Sequence, residues 1–184
     1  MSKLRWMRTG ALVAAVAGCA ALVAASGLIE PGARVPDFTL PAVRGGSFTV
    51  RPATPQTALI AFLQTYPDTA DTASRGEVAL LESMEHQYGA RGLRVAIVDA
   101  TAVATGKSPS HDSLVNASYD WNLAVPLLED DGRVAALLGV TRAPTVVLVK
   151  ADGMVAQAWE RRVSPGELAI AVEEVMGSGR LAHQ

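Results

Sequence analysis

Acidic and hydroxyl-bearing side chains are concentrated in one short segment of the sequence. Asp68, Asp71, Thr72 and Ser74 stand directly before a pattern typical of an amphipathic helix. Side chains of this kind could bind a cation or the amide groups of a peptide. Asp, Ser and Thr at a helix entrance more commonly accept hydrogen bonds from the free N–H groups of the first turn. Both roles stay open, and helix capping is the simpler one.

The other reactive residue types form no recognisable catalytic pattern. His86, His111 and His183 are far apart in sequence, and no spacing of three or four metal ligands is visible. Gly106-Lys107-Ser108 is similar to the end of a phosphate-binding loop, but Thr101 occupies the position of its first glycine. The sequence lacks a nucleophile elbow of the serine hydrolase type. We therefore predict no metal, no cofactor and no catalytic residue from spacing alone.

The single cysteine, Cys19, lies in an uncharged N-terminal run from Gly10 to Ile29 that comes after three basic residues. These 20 residues would span about 30 Å as a helix, which is the thickness of a bilayer core. Positive charge before the run predicts that the rest of the chain is exported. Residues 1–29 are thus expected to be a targeting or anchoring segment, with a linker at 30–34.

Three fates of this segment remain open. The run can stay as a signal anchor, which its length favours. It can be cleaved near Ala25 or Ser26, after small residues. It can also become a lipoprotein signal, because Val16-Ala17-Gly18-Cys19 resembles a bacterial lipobox with Cys19 as the lipidated residue. Each outcome tethers the protein to a membrane or secretes it, and each predicts an extracytoplasmic domain of a bacterial protein.

The charge of the remaining chain argues against nucleic-acid binding. Three of the 16 basic residues lie in the first 26 positions, so 13 basic residues face 18 acidic ones in the rest. Phosphate backbones require a basic surface, which this balance does not favour. The 49% hydrophobic content is sufficient for one packed domain, expected at residues 35–178, with a short tail at 179–184.

The order of predicted elements indicates an α/β fold. A hairpin precedes a buried strand, an amphipathic helix and a second buried strand, and this unit implies a parallel crossover. A loop at 101–110 and an inserted helix at 112–121, with Val115 and Tyr119 on its apolar face, should come next. A second hairpin and a final helix ending at Gly177 complete the pattern. Ser164-Pro165-Gly166-Glu167 has the form of a capping box at the start of that helix.

Five local matches connect this pattern with a known family. They are Pro36-Asp37-Phe38-Thr39-Leu40, the strand at 59–62, Tyr88-Gly89-Ala90-Arg91-Gly92-Leu93, Val140-Thr141-Arg142-Ala143-Pro144-Thr145, and Lys150-Ala151-Asp152-Gly153. In this order they resemble the TlpA/ResA-like branch of the thioredoxin superfamily, close to the AhpC/TSA redoxins. The resemblance implies a three-layer sandwich with a central mixed sheet, an N-terminal hairpin and an inserted helix.

The resemblance ends at the chemistry. In the family, Cys-x-x-Cys stands at the start of the first helix, where the helix N-terminus favours the reactive thiolate. The corresponding stretch here is Thr65-Tyr66-Pro67-Asp68-Thr69-Ala70-Asp71, with Pro67 and Ala70 at the two cysteine positions. A peroxiredoxin alignment places Ser74 at the reactive cysteine, and serine has no accessible sulfenic state. We call the residues 66–71 together with Ser74 the degenerate active-site loop, and we expect no dithiol activity from it.

The loop Arg142-Ala143-Pro144-Thr145 matches the family's cis-proline loop. The resemblance implies a cis Ala143–Pro144 bond that faces the degenerate active-site loop and offers backbone groups to an extended partner chain. A purely structural role for Pro144 is equally open. The leading hypothesis is a redox-inactive, extracytoplasmic protein that binds a protein or peptide at this loop. The alternatives are a redox enzyme that uses a partner's cysteine or Cys19, and a binder of a small molecule or metal.

Overall fold

The computed structural model describes residues 27–51, 56–65 and 72–181. Seven strands and five helices succeed one another along this part of the chain. The strands are β1 (Phe38–Pro41), β2 (Ser47–Val50), β3 (Thr57–Leu63), β4 (Leu93–Asp99), β5 (Leu127–Leu128), β6 (Thr145–Val149) and β7 (Val155–Trp159). The helices are α1 (Thr72–Tyr88), α2 (Thr101–Thr105), α3 (His111–Asp120), α4 (Arg133–Leu137) and α5 (Pro165–Leu181).

The central sheet has five strands in the order β5-β4-β3-β6-β7. β3 is parallel to β4 and antiparallel to β6, so the sheet is mixed. The hairpin β1–β2 forms a separate antiparallel pair and contacts β5 through a bridge between Ala42 and Leu128. These features confirm the predicted mixed sheet and N-terminal hairpin.

Every residue of β3 is buried, because the sheet is covered on both faces. Alternate residues of β3 face two separate cores. Leu59, Ala61 and Leu63 join the core beneath α1, α3 and α5, whereas Ile60 and Phe62 join the core beneath the hairpin and α4. The molecule is therefore a three-layer sandwich, as the family resemblance implies.

Three details differ from the sequence-based expectations. The stretch 101–105, expected as loop, forms α2. On α3 the buried residues are Leu114, Ala117 and Ser118, whereas Tyr119 is exposed. Of the predicted apolar pair, Val115 is partly buried and packs against the core, whereas the prediction for Tyr119 was wrong. Finally, α5 does not end at Gly177 but continues to Leu181.

The segment before β1 belongs to the packed structure. The N–H of Ile29 donates to the Leu138 carbonyl over 2.9 Å, and that of Gly32 donates to the Val155 carbonyl over 2.8 Å. Leu28 and Ile29 pack against the hairpin-side core. The stretch expected as a linker at 30–34 thus lies against the β6–β7 hairpin. Among the described residues, no helix has the length and apolar composition needed to cross a bilayer.

Candidate functional site

The carboxyl ends of β3 and β4 and the first residue of β6 meet at one end of the sheet. Phe62 of β3 pairs with Thr145 of β6, and Leu63 pairs with Asp99 of β4. The Ala143–Pro144 bond that precedes β6 is cis, as expected. The topology therefore places the start of β6, after the cis-proline, beside the end of β3, the strand that precedes the degenerate active-site loop in the sequence.

The cis-proline loop is fixed by side-chain hydrogen bonds. The Thr145 hydroxyl donates to the Arg142 carbonyl over 2.7 Å, which closes the turn around Pro144. Glu160, directly after β7, accepts from the Thr141 hydroxyl at 3.1 Å and from Arg142 Nη2 at 3.3 Å. The Arg142 side chain nevertheless remains 65% exposed. The loop is thus braced from inside while its outer face stays open to solvent.

A buried carboxylate lies behind this end of the sheet. Asp99 is only 2% exposed, and its Oδ1 accepts hydrogen bonds from the hydroxyls of Thr65 and Thr101, both at 2.6 Å. The Thr101 N–H also donates to Oδ1 over 3.2 Å. The other oxygen, Oδ2, has no hydrogen-bond partner among the described residues. Asp99 thereby joins Thr65, which lies just after β3, to Thr101 at the start of α2.

A second buried carboxylate lies in α1. Glu77 is 3% exposed, and its Oε1 accepts a hydrogen bond from Arg162 Nε over 3.3 Å. Burial raises the pKa of the Glu77 carboxyl, whereas the hydrogen bond and positive charge of Arg162 and the Val163 N–H act in the opposite direction. Oε2 has no hydrogen-bond partner within the described ranges. This ion pair connects the start of α1 with the β7–α5 connection.

A glycine makes room for the arginine. A Cβ placed on Gly76 would lie 2.5 Å from Arg162 Nη2, so the guanidinium passes directly over the helix backbone. A side chain at this position would displace the end of the Arg162 side chain from the place it occupies here. The sequence Gly76-Glu77 thus supplies both the space and the charge that position Arg162.

The β7–α5 connection carries a further ion pair. Arg161 donates to Glu167 Oε1 over 2.6 Å, and the indole N–H of Trp159 donates to the same oxygen over 2.9 Å. The hydrogen bond from Arg161 is the main reason that the pKa of Glu167 lies below its ordinary value. The Glu167 N–H donates to the Ser164 hydroxyl over 3.2 Å, which confirms the predicted cap of α5.

The structure places some of the predicted site residues and leaves others outside the described ranges. Arg142, Ala143, Pro144 and Thr145 form one loop beside the end of β3. The remaining predictions concern the degenerate active-site loop and the lipidation site. Ser74 is in the first turn of α1, whereas Cys19, Tyr66, Pro67, Asp68, Thr69, Ala70 and Asp71 lie outside the described residues.

Sequence reasoning missed the buried carboxylates of this region, Glu77 and Asp99, the arginine that pairs with Glu77, Arg162, and the hydrogen bond from Thr65 to Asp99. One local signal was present, because Asp99 is a charged residue at the end of the apolar strand β4. Within the ranges 27–51, 56–65 and 72–181, no group of three or more His, Cys, Asp or Glu side chains could hold a metal ion.

The mixed sheet, the helices on both faces and the cis-proline before β6 define a thioredoxin-like protein. The AhpC/TSA family profile matches residues 31–158, and the chain belongs to the AhpC/TSA family. The sequence contains a single cysteine, so the Cys-x-x-Cys of thiol-disulfide oxidoreductases is absent from it. No curated protein matches the sequence.

Solved structures share this fold at low sequence identity. A protein described as a thiol:disulfide interchange protein DsbE from Chlorobium tepidum is 19% identical with a TM-score of 0.67, over 80% of this chain and 99% of that one. The thioredoxin domain of a thiol-disulfide oxidoreductase from Bacteroides vulgatus is 14% identical with a TM-score of 0.63, over 80% and 99%. A secreted disulfide oxidoreductase from Mycobacterium tuberculosis is 18% identical with a TM-score of 0.58, over 74% and 95%.

Proposed function

We propose that this protein is an extracytoplasmic member of the AhpC/TSA family that binds an extended peptide segment at its cis-proline loop and carries out no dithiol chemistry of its own. The observation that carries this proposal is the exposed, internally braced loop around Pro144, in a chain with no cysteine after residue 19. An exposed loop beside a sheet end can pair its backbone groups with an added strand.

The missing thiol supports the negative half of the proposal. Disulfide exchange requires a thiolate that attacks a sulfur atom, and serine or aspartate cannot replace it. Residues 27–184 contain no cysteine. The domain can therefore contribute to exchange only by holding a partner whose own cysteines react.

The extracytoplasmic location rests on the N-terminal sequence and on analogy. Basic residues before an apolar run favour export of the chain on the C-terminal side of that run. The similar Mycobacterium tuberculosis protein is described as secreted. Whether this chain stays attached to the membrane or is released depends on processing of residues 1–26.

The test combines an activity assay with a binding assay on the full chain in maltoside micelles. Insulin reduction by dithiothreitol and peroxide consumption should both equal the protein-free blank. A library of extended peptides displayed on phage should yield binders whose affinity falls about tenfold in Pro144→Ala. The substitution frees the backbone of the loop that offers hydrogen bonds to the peptide, and one such hydrogen bond contributes about this much. Pro36→Ala, an exposed proline beside the β6–β7 turn, should bind as the wild type does.

The outcomes separate the alternatives. Turnover above the blank would overturn the redox-inactive assignment, and its loss in Cys19→Ser would assign the reaction to Cys19. Peptides that bind the wild type and Pro144→Ala equally would show that the loop is not the binding site.

A further inference from the structure

A pocket lies at the end of the sheet opposite the cis-proline loop. It is formed where β2 ends, β3 and β4 begin, and β6 turns into β7. It is a shallow depression with an enclosed space of about 10 Å³, enough for one water-sized group, and the apolar side chains beneath it, Phe48 and Val149 among them, are buried. Ala58 in this pocket and Phe62 beside the cis-proline loop are four residues apart on β3, or about 13 Å. The pocket is therefore separate from the cis-proline loop.

Three basic side chains line this pocket. They are Arg51 after β2, Arg94 in β4 and Lys150 after β6, and no acidic residue is among the lining residues. Arg51 and Lys150 are exposed, and neither forms an ion pair within the described part of the chain. This cluster of three cations is opposite in sign to the chain after residue 26, which carries 13 basic and 18 acidic residues.

The arginine at the centre is held in place by an aromatic ring. The Arg94 guanidinium lies 4.4 Å from the centroid of Phe48, and its Nη1 donates to Gln56 Oε1 over 3.4 Å. A planar guanidinium fixed on a ring keeps its remaining N–H groups available for a carboxylate or phosphate, which it binds in a two-pronged geometry. Holding the group before binding reduces the entropy lost on binding.

One carboxylate is near enough in sequence register to compete. Asp37 precedes Phe38, the register partner of Val50, and therefore stands across from Arg51. Within the described residues no ion pair joins the two side chains. The competing charge is thus at the rim of the pocket, and its removal should strengthen the binding of an anion.

We propose that this shallow pocket binds the carboxylate or phosphate group of a small anion. Arg94 and Lys150 contact the charged oxygens, and Arg51 adds long-range attraction. This proposal is independent of the cis-proline loop, and either can fail while the other stands.

Isothermal titration of the full chain in maltoside micelles tests the proposal, with inorganic phosphate and phenyl phosphate as probes. The buffer should be of low ionic strength, where the Debye length is about 30 Å. Lys150→Ala and Arg51→Ala should each weaken binding about fivefold, which is the upper range for one exposed ion pair. Lys107→Ala removes the same charge from an exposed loop at the other end of the sheet and should change binding less than about twofold.

Two further measurements sharpen the result. Asp37→Asn should strengthen binding, because it removes a negative charge at the rim. Phenyl phosphate and inorganic phosphate should bind about equally, because the apolar side chains beneath the pocket are buried. Binding of phenyl phosphate alone would show that the ring is recognised instead of the anion and would overturn the proposal. Absence of binding by both probes would overturn the proposal. An equal loss in Lys107→Ala and Lys150→Ala would also overturn it.

Discussion

Replacing Arg162 by alanine removes the cation beside a carboxylate that is 3% exposed. Breaking a fully buried ion pair costs about 3 to 5 kcal/mol, because a charge is left without a partner. The Arg162 side chain is 58% exposed, so solvent already screens part of the interaction. We expect Arg162→Ala to lower the free energy of unfolding by about 2 kcal/mol at pH 7.5.

The pH dependence identifies the cause. Burial raises the pKa of Glu77 above its ordinary value of 4.5, so the folded protein binds a proton more readily than the unfolded chain. Between these two pKa values, stability increases as the pH falls. Loss of Arg162 raises the folded pKa further, because its hydrogen bond and charge no longer favour the carboxylate. The penalty of Arg162→Ala should therefore shrink as the pH falls from 7.5 toward 4.5.

Urea unfolding of the full chain in maltoside micelles, monitored by tryptophan fluorescence, measures this effect. In the Glu77→Gln background, Arg162→Ala should lose most of its penalty, because no buried charge is left behind. Arg161→Ala serves as the matched control, since its partner Glu167 has a lowered pKa. The Arg161 contribution should persist down to the ordinary carboxyl pKa and be lost only as the pH falls further. A penalty for Arg162→Ala that is constant from pH 7.5 to 4.5 would refute the reasoning.

Three further predictions use the same unfolding assay. Gly76→Ala should be neutral or destabilising in the wild type, because its Cβ displaces the Arg162 guanidinium. In the Arg162→Ala background it should stabilise the protein by about 0.5 to 1 kcal/mol, because only the higher helix propensity of alanine remains. Stabilisation in both backgrounds would contradict the packing argument. Thr65→Val should cost about 1 to 3 kcal/mol through the lost 2.6 Å hydrogen bond to buried Asp99, whereas Thr39→Val, at an exposed hydroxyl pair, should cost less than about 1 kcal/mol. Gly139→Ala should cost at least about 2 kcal/mol, because φ is +67° and the Cβ would collide with the Gly27 carbonyl, whereas Gly166→Ala, with no atom nearby, should not destabilise.

The sequence predicts the sheet well because the apolar pattern of each central strand is easy to recognise. β3, β4 and β6 are buried on both faces and appear as continuous apolar runs, and the two hairpins have glycine turns between alternating residues. The crossover rule then fixes the parallel pairing of β3 and β4. These patterns are local and need no knowledge of the partner strand.

The helical errors arise where small or polar residues face the core. The α3 prediction relied on the large side chains Val115 and Tyr119. Ser118 is fully buried instead, and its hydroxyl is satisfied by donating to the Val115 carbonyl over 2.7 Å. α2 was missed because Thr101 and Thr105 are typical of loops, while in the structure the Thr105 hydroxyl donates to the Thr101 carbonyl over 2.8 Å. Gly177 is typical of a helix end, yet glycine inside a helix costs only about 1 kcal/mol, and α5 continues past it.

The site was predictable only where a local motif marks it. The cis-proline loop is a continuous segment, and its resemblance to the family sufficed. The pair of Glu77 and Arg162 joins residues 85 positions apart. No local pattern reveals such a contact, because it depends on how α1 and the β7–α5 connection meet across the fold.

If the N-terminal apolar run stays in a bilayer, the hydrogen bond from Ile29 to Leu138 would limit how freely the domain moves relative to that membrane. Leu28 and Ile29 are used by the core, so an apolar run retained in the bilayer would have to end near residue 26. In that case almost no linker would separate the domain from the bilayer, and the end of the domain that carries α4 would face the lipid headgroups. It would sample a thin layer at the membrane surface instead of the surrounding compartment, and a partner would have to meet it there, in a narrow range of orientations.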